Sequence, residues 1–400
     1  MPARPATYHR MAAAEVLLVG SAEADITPTE PLFLGGFGVN RRATGIHSPL
    51  KVRAMTLQLG DMRIAIVGID NLGLQRDDVE WIKRGVIGYQ NGCVFLCSSH
   101  THAAPDLIGI WGAFMLTSGR DRGYLKLVRD GVVSAVAEAT RKARPATLVR
   151  GEALLPEEGI VRNSNRAGFF DRRFTVLQAR AIDDGAPVGA LLHMACHPEV
   201  LRRHNTLVSA DFVGSICDRW RDEGQGQAVF VNGALGAMIT PQPSGVDGME
   251  VVTEALWETA SAALDAAAPL EVRSMEVRRR DLYMPITSPG LLVGRLTMVL
   301  PRRSYGGQVQ TTVGWLRMGS LEAACVPGEM EPALAARIRE ATGKPDLLVF
   351  GLVDDEIGYL MRDQEARDPE YAYERGMSPV VDTGERVFEG LMEAGLQSIR

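Results

Sequence analysis

The chain has no run of about 18 uncharged apolar residues, so no membrane-spanning helix is expected. Its formal net charge is −6, which argues against a nucleic-acid partner, since that needs clustered Lys and Arg. Cysteine is scarce and odd in number, five in all, and three residues separate Cys93 from Cys97, so no CxxC pair exists. Cys93, Cys97, Cys196 and Cys325 all lie in apolar runs, the usage of buried thiols in a reducing compartment, and a cytoplasmic protein is expected. The glycine cluster Leu34-Gly35-Gly36-Phe37-Gly38 lacks the spacing of a dinucleotide or phosphate loop. It reads as a tight loop needing positive φ, or as a close approach of backbone to a site. No repeat, low-complexity tract or linker forces a cut, so residues 1–400 are expected to form a single domain. Residues 1–12 are expected to be disordered or a non-native start, with Met11 as an alternative beginning. The segment from Met11 to Gly20 is broken by Glu15 and reads as a strand rather than a signal sequence.

What is present is apolar and regularly punctuated. Hydrophobic residues make up 46% of the 400, enough for one large core or two. Runs at 52–59 and 62–69 flank Gly60-Asp61, and runs at 174–182 and 188–196 flank Asp183-Asp184-Gly185, so two hairpins are expected. Leu125, Val128, Val132, Ala135, Val136 and Ala139 recur at helical spacing before Pro145, the clearest helix of the chain. Further helices are expected near 76–87, 211–223, 249–267, 331–342 and from Thr383. The fold class that follows is α/β with mixed sheets flanked by helices.

The chemistry gathers where apolar runs give out. Val94-Phe95-Leu96-Cys97 leads into Ser98-Ser99-His100-Thr101-His102, placing two of the seven histidines two residues apart. If the extended path continues through Thr101, both rings face one way. A metal or acid/base role competes there with an ordinary surface or core pair. Other apolar runs stop at Asp70, His197, Glu329 and Glu356/Tyr359. Strands ending on the same side would gather these into two or three imidazoles and a carboxylate, the usual catalytic zinc set. His47, His193 and His204 read as structural or exposed.

Taken together, these pieces resemble the catalytic domain of the neutral/alkaline (non-lysosomal) ceramidase family. The matching segments are Ala24-Asp25-Ile26-Thr27-Pro28 with the glycine cluster after it, and Gly45-Ile46-His47-Ser48-Pro49-Leu50 leading to Arg53-Ala54. Ser99 to Pro105, Ala195-Cys196-His197-Pro198 and Ser209-Ala210-Asp211-Phe212 follow. Asn232-Gly233-Ala234-Leu235-Gly236, Pro327-Gly328-Glu329 and Gly358-Tyr359 complete the series. The resemblance implies a zinc hydrolase of an amide (N-acyl) bond, with His100, His197, Glu329 and Tyr359 holding Zn²⁺. It implies that His102 moves protons beside the metal, that Arg166 (or Arg162) binds the acyl oxygen, and that Tyr373 donates a hydrogen bond.

Two departures shape the expectation. The family's ceramidases carry a serine after Gly-Asp where this chain reads Gly236-Ala237-Met238-Ile239-Thr240, leaving only Thr240 as a stand-in. Direct attack by zinc-bound hydroxide is therefore expected rather than a covalent acyl-enzyme. A short member without the immunoglobulin-like domain and secretion signal of those ceramidases is expected, and with it a small or amphiphilic amide substrate other than ceramide itself. An esterase or lactonase using the same site, and a degenerate ligand-binding member without turnover, are the alternatives. A homo-oligomer is compatible with the sequence.

Overall fold

The structure is a computed structural model that describes residues 6–395. Two mixed sheets lie face to face with helices on their outer sides. The larger has nine strands. Its path runs Gln227–Asn232, Pro187–Met194, Arg173–Ala181, Arg144–Leu154, Leu17–Asp25, Lys51–Leu59, Met62–Ile69, Val94–Ser98, with Ala268–Leu270 beside Arg144–Leu154. Both expected hairpins are present in register. The first and last pairings of the path are parallel and the others antiparallel. The smaller sheet orders Thr7–Ala13, Ser274–Pro285, Gln308–Met318, Leu321–Cys325 and Leu348–Phe350.

The layers follow from which faces are apolar. Lys51–Leu59 and Met62–Ile69 are buried over nearly their whole length and on both faces, Arg53 and Thr56 included. One face packs against the smaller sheet, joining Leu57, Ile64 and Phe95 to Val277, Leu316 and Phe350. The other packs against helix Arg122–Arg141, whose first turn is capped by Asp121 accepting from Tyr124 N–H at 2.7 Å. Helices Asp211–Asp222 and Gly245–Asp265 cover the Arg173–Ala181 end. The second of these seats so closely that a Cβ on Gly151 would lie 1.7 Å from Ala263 O. Helices Pro332–Thr342 and Thr383–Gly395 cover the smaller sheet.

One expectation fails at the start of the chain. Residues 7–12, read as disordered or a non-native start, belong to strand Thr7–Ala13, which pairs antiparallel with Ser274–Pro285. Its side chains alternate between exposed and half-buried, so the segment has no apolar run to announce it, and the partner strand supplies the order. Residues 1–5 lie outside the described residues. The first helix is also shorter than expected, Arg76–Lys83, because Gly85 follows its last turn.

The large sheet does not stay open. Counted along its pairings, Val94–Ser98 and Pro187–Met194 run in opposite senses. The sheet coils until Gln227–Asn232 returns against Met62–Ile69, where a Cβ on Gly68 would lie 2.9 Å from Phe230 O. Coiling, rather than a shared parallel edge, brings the polar strand exits together.

Candidate metal centre

Strand Val94–Ser98 ends before the histidines, so the extended path through Thr101 is not what aligns them. His100 sits at φ 74°, in the left-handed region that non-glycine residues rarely occupy. Its N–H donates to Asn71 O at 2.9 Å, and that of His102 to Pro198 O at 3.1 Å. The turn still gathers the rings, whose centroids are 5.0 Å apart, with His197 5.1 Å from His100 and 5.7 Å from His102. Asn232 ties the two loops to each other. Its side chain donates to Ser99 O and Cys196 O, both at 2.9 Å, and accepts from Cys196 N–H and Gly233 N–H at 3.1 Å.

Two of the imidazoles are held in the same way. His100 Nδ1 lies 2.7 Å from Leu72 O, and His197 Nδ1 lies 2.8 Å from Ile239 O. Hydrogen bonds to backbone carbonyls place a proton on each Nδ1 and aim each Nε2 inward, as in metal-ligating histidines. Glu329 stands between them, Oε2 at 2.9 Å from His197 Nε2 and Oε1 at 3.5 Å from His100 Nε2. Residues Glu329–Met330 pair with Tyr359–Leu360, which puts Tyr359 directly opposite Glu329. Burial pushes His100 down to about 4. Burial acts likewise on His197, but the Glu329 hydrogen bond and charge outweigh it and raise that ring. Burial alone would raise Glu329, yet His100 and His197 hold it below the usual carboxylate range. Two imidazoles, a carboxylate and a phenol form the mixed N/O donor set that suits zinc.

His102 is placed differently. Among the described residues neither ring nitrogen has a hydrogen-bond partner, and Nδ1 is 3.6 Å from Glu199 Oε2. Burial, then the charges of His100, His197 and Arg41, push it well below its ordinary value, so the ring is neutral at pH 7. Its position is set from outside: Arg41 donates to His102 O at 3.0 Å, and Phe37 packs edge-on at 4.7 Å. Gly36, at φ 102°, lets the loop pass so close that a Cβ there would meet His102 Cγ at 2.5 Å. The glycine cluster thus answers to both of its readings.

The remaining candidates divide. Tyr373 lines the cavity above the histidines, its ring 6.2 Å from that of Tyr359. Arg166 is exposed, stacked 4.4 Å over Phe169 with its backbone N–H on Asn163 Oδ1, and neither it nor Arg162 is among the cavity's lining residues. Thr240 Oγ1 is buried in the short strand Ile239–Pro241 and also does not line the cavity. Asp70, one of the polar strand exits, is taken by Arg53 at 2.8 Å and by Lys51 N–H at 2.9 Å. His193 bonds Val349 O, while His47 and His204 are exposed, as expected. Sequence reasoning assigned nothing to Arg41 or Glu199. Glu199 was within reach, lying two residues beyond His197; Arg41 carries no local signal.

Above the donors opens a cavity of about 590 Å³. Leu72, Ile108, Trp111, Ile286, Leu291 and Leu300 make its wall largely apolar, while His100, His102, Glu329 and Tyr359 reach it. A few polar groups in an apolar pocket suit an acyl chain joined to a polar head.

The sequence profile of the neutral/alkaline non-lysosomal ceramidase N-terminal region matches residues 17–238. Neutral ceramidase of Oryza sativa subsp. japonica is 27% identical over 221 residues, covering 50% of this chain and 28% of that protein. Neutral ceramidase of Drosophila melanogaster is 28% identical over 229 residues, covering 49% and 31%. The matches thus span less than a third of the length of these curated relatives. Among solved structures, neutral ceramidase from Pseudomonas aeruginosa superposes with a TM-score of 0.73 at 18% identity, covering 96% of this chain and 75% of that one. A ceramidase complexed with C2 gives 0.77 at 17% identity, with 96% and 76% covered. The α/β fold with helix-flanked mixed sheets is the ceramidase fold.

Proposed function

The chain belongs to the neutral/alkaline non-lysosomal ceramidase family, and on that premise we propose that it is a zinc-dependent hydrolase of an amide bond in an amphiphilic N-acyl substrate other than ceramide itself. The observation that carries this reading is the pair of carbonyl-fixed imidazoles with Glu329 between them, at the base of an apolar cavity.

His100, His197, Glu329 and Tyr359 are the residues that would hold zinc. When bound, the ion polarises the acyl oxygen and lowers the pKa of a water to about 7. The chain's own groups do the rest. The apolar wall buries the acyl chain and excludes bulk water, which strengthens each polar contact at the reacting carbonyl. His102, neutral and unpartnered, accepts a proton on a ring nitrogen and delivers it to the departing amine. Glu199, 3.6 Å from Nδ1, stabilises the imidazolium formed between those steps. Tyr373 donates to the developing oxyanion from the cavity wall.

Dialysis against a chelator should abolish hydrolysis of N-acyl amides, and stoichiometric zinc should restore it. Matched ester substrates in the same assay separate an amidase from an esterase. Protein purified without chelator that carries no stoichiometric metal would overturn the reading.

A further inference from the structure

Asp354, Asp355 and Glu356 are three consecutive carboxylates, and two are engaged away from the cavity. Asp354 pairs with Lys83 at 2.8 Å and with Arg279. Asp355 accepts from Arg76 N–H at 3.0 Å and Thr311 Oγ1 at 2.7 Å, and pairs with Arg302. Glu356 turns inward and lines the cavity. Its Oε1 accepts from Gly358 N–H at 2.8 Å, while Oε2 is buried with no hydrogen-bond partner among the described residues.

Ligand atoms of His100, Glu329 and Glu356 lie within 4.8 Å of one another, as do those of His100, His102 and His197. The two groups share His100. Because His100 Nδ1 is committed to Leu72 O, only Nε2 is free, and one nitrogen lone pair serves one ion. The two groups therefore cannot each hold an ion through His100 at the same time. Two carboxylates this close repel each other unless one holds a proton or a cation lies between them, and burial together with the Glu329 charge holds Glu356 well above the usual carboxylate range.

We propose that Glu356 is a further ligand of the cation held by His100, His197, Glu329 and Tyr359, so that one divalent ion is bound through two carboxylates. The inference rests on the zinc reading above. A second carboxylate makes the donor set harder, and Mn²⁺ should be retained as well as Zn²⁺.

The test is equilibrium dialysis of the metal-free full chain against Zn²⁺ and against Mn²⁺. The unaltered protein should bind one ion. Glu356→Gln should weaken Zn²⁺ at least about tenfold and Mn²⁺ more, with an unchanged melting temperature of the metal-free form. Zn²⁺ affinity unchanged in Glu356→Gln, or two ions per unaltered chain, would overturn the proposal while leaving the metal site standing. An unaltered chain that binds no ion would overturn both. The Co²⁺-loaded proteins give a second readout: the d–d spectrum should differ between the unaltered chain and Glu356→Gln, and identical spectra would refute Glu356 as a ligand.

Discussion

Glu329 and Tyr359 face each other across a parallel pairing only two residues long, so a single backbone ladder fixes a carboxylate and a phenol side by side. The histidines have no such ladder. Two of their rings, His100 and His197, are instead held by hydrogen bonds to the backbone carbonyls of Leu72 and Ile239.

His100→Ala should lose the metal, because it removes an Nε2 that Leu72 O orients. His102→Ala should keep the metal and lose rate, by about 10²–10⁴-fold if it supplies general acid–base catalysis. Metal content by mass spectrometry alongside kcat/KM checks both. Equal metal loss in the two variants would count against the division of roles.

Gly36→Ala tests whether the glycine loop positions His102. The new Cβ would sit 2.5 Å from His102 Cγ, and alanine is strained at φ 102°. A displaced ring should cost about 10²-fold in kcat. Zinc content should stay at one per chain, which a general collapse of the site would not allow.

Arg53 and Asp70 form a buried pair at 2.8 Å, 2% and 1% exposed. Arg53→Met leaves a carboxylate uncompensated and should lower the urea unfolding free energy by about 3–5 kcal/mol. Arg53→Met combined with Asp70→Leu should recover most of it. No recovery would mean that packing, and not charge, dominates there.

Burial pushes the Lys83 ammonium down to about 8, against the pull of Asp354. Between about pH 8 and 10.5 the unfolded chain holds a proton that folded Lys83 has released, so this group's contribution to stability rises with pH. The stability of the unaltered protein relative to Lys83→Met should grow by up to roughly 3 kcal/mol over that window. Chemical denaturation at several pH values measures it, and a constant difference would refute the lowered value.

Much of the fold was legible because its elements are strongly patterned. Both hairpins, the Arg122–Arg141 helix and the buried strand before the histidines read directly from apolar runs and turn residues. Strand Thr7–Ala13 was not legible, since edge pairing imposes no apolar alternation. Within the site, His100, His197 and Glu329 were visible as polar residues at the ends of apolar runs. Asp70 looked the same, and only the guanidinium of Arg53 beside it shows that it is spent on an ion pair.

The histidine pair shows where the boundary falls. Local sequence determined that imidazoles stand at 100 and 102 and that a buried strand precedes them, because periodicity and residue type are properties of a short stretch. Tertiary structure decided which imidazole faces Glu329 and which stays unpartnered. That depended on the left-handed turn at His100, on the coiling of the large sheet, and on Asn232 reaching both loops from a third strand. These are contacts between residues distant in the chain, and no local pattern encodes them.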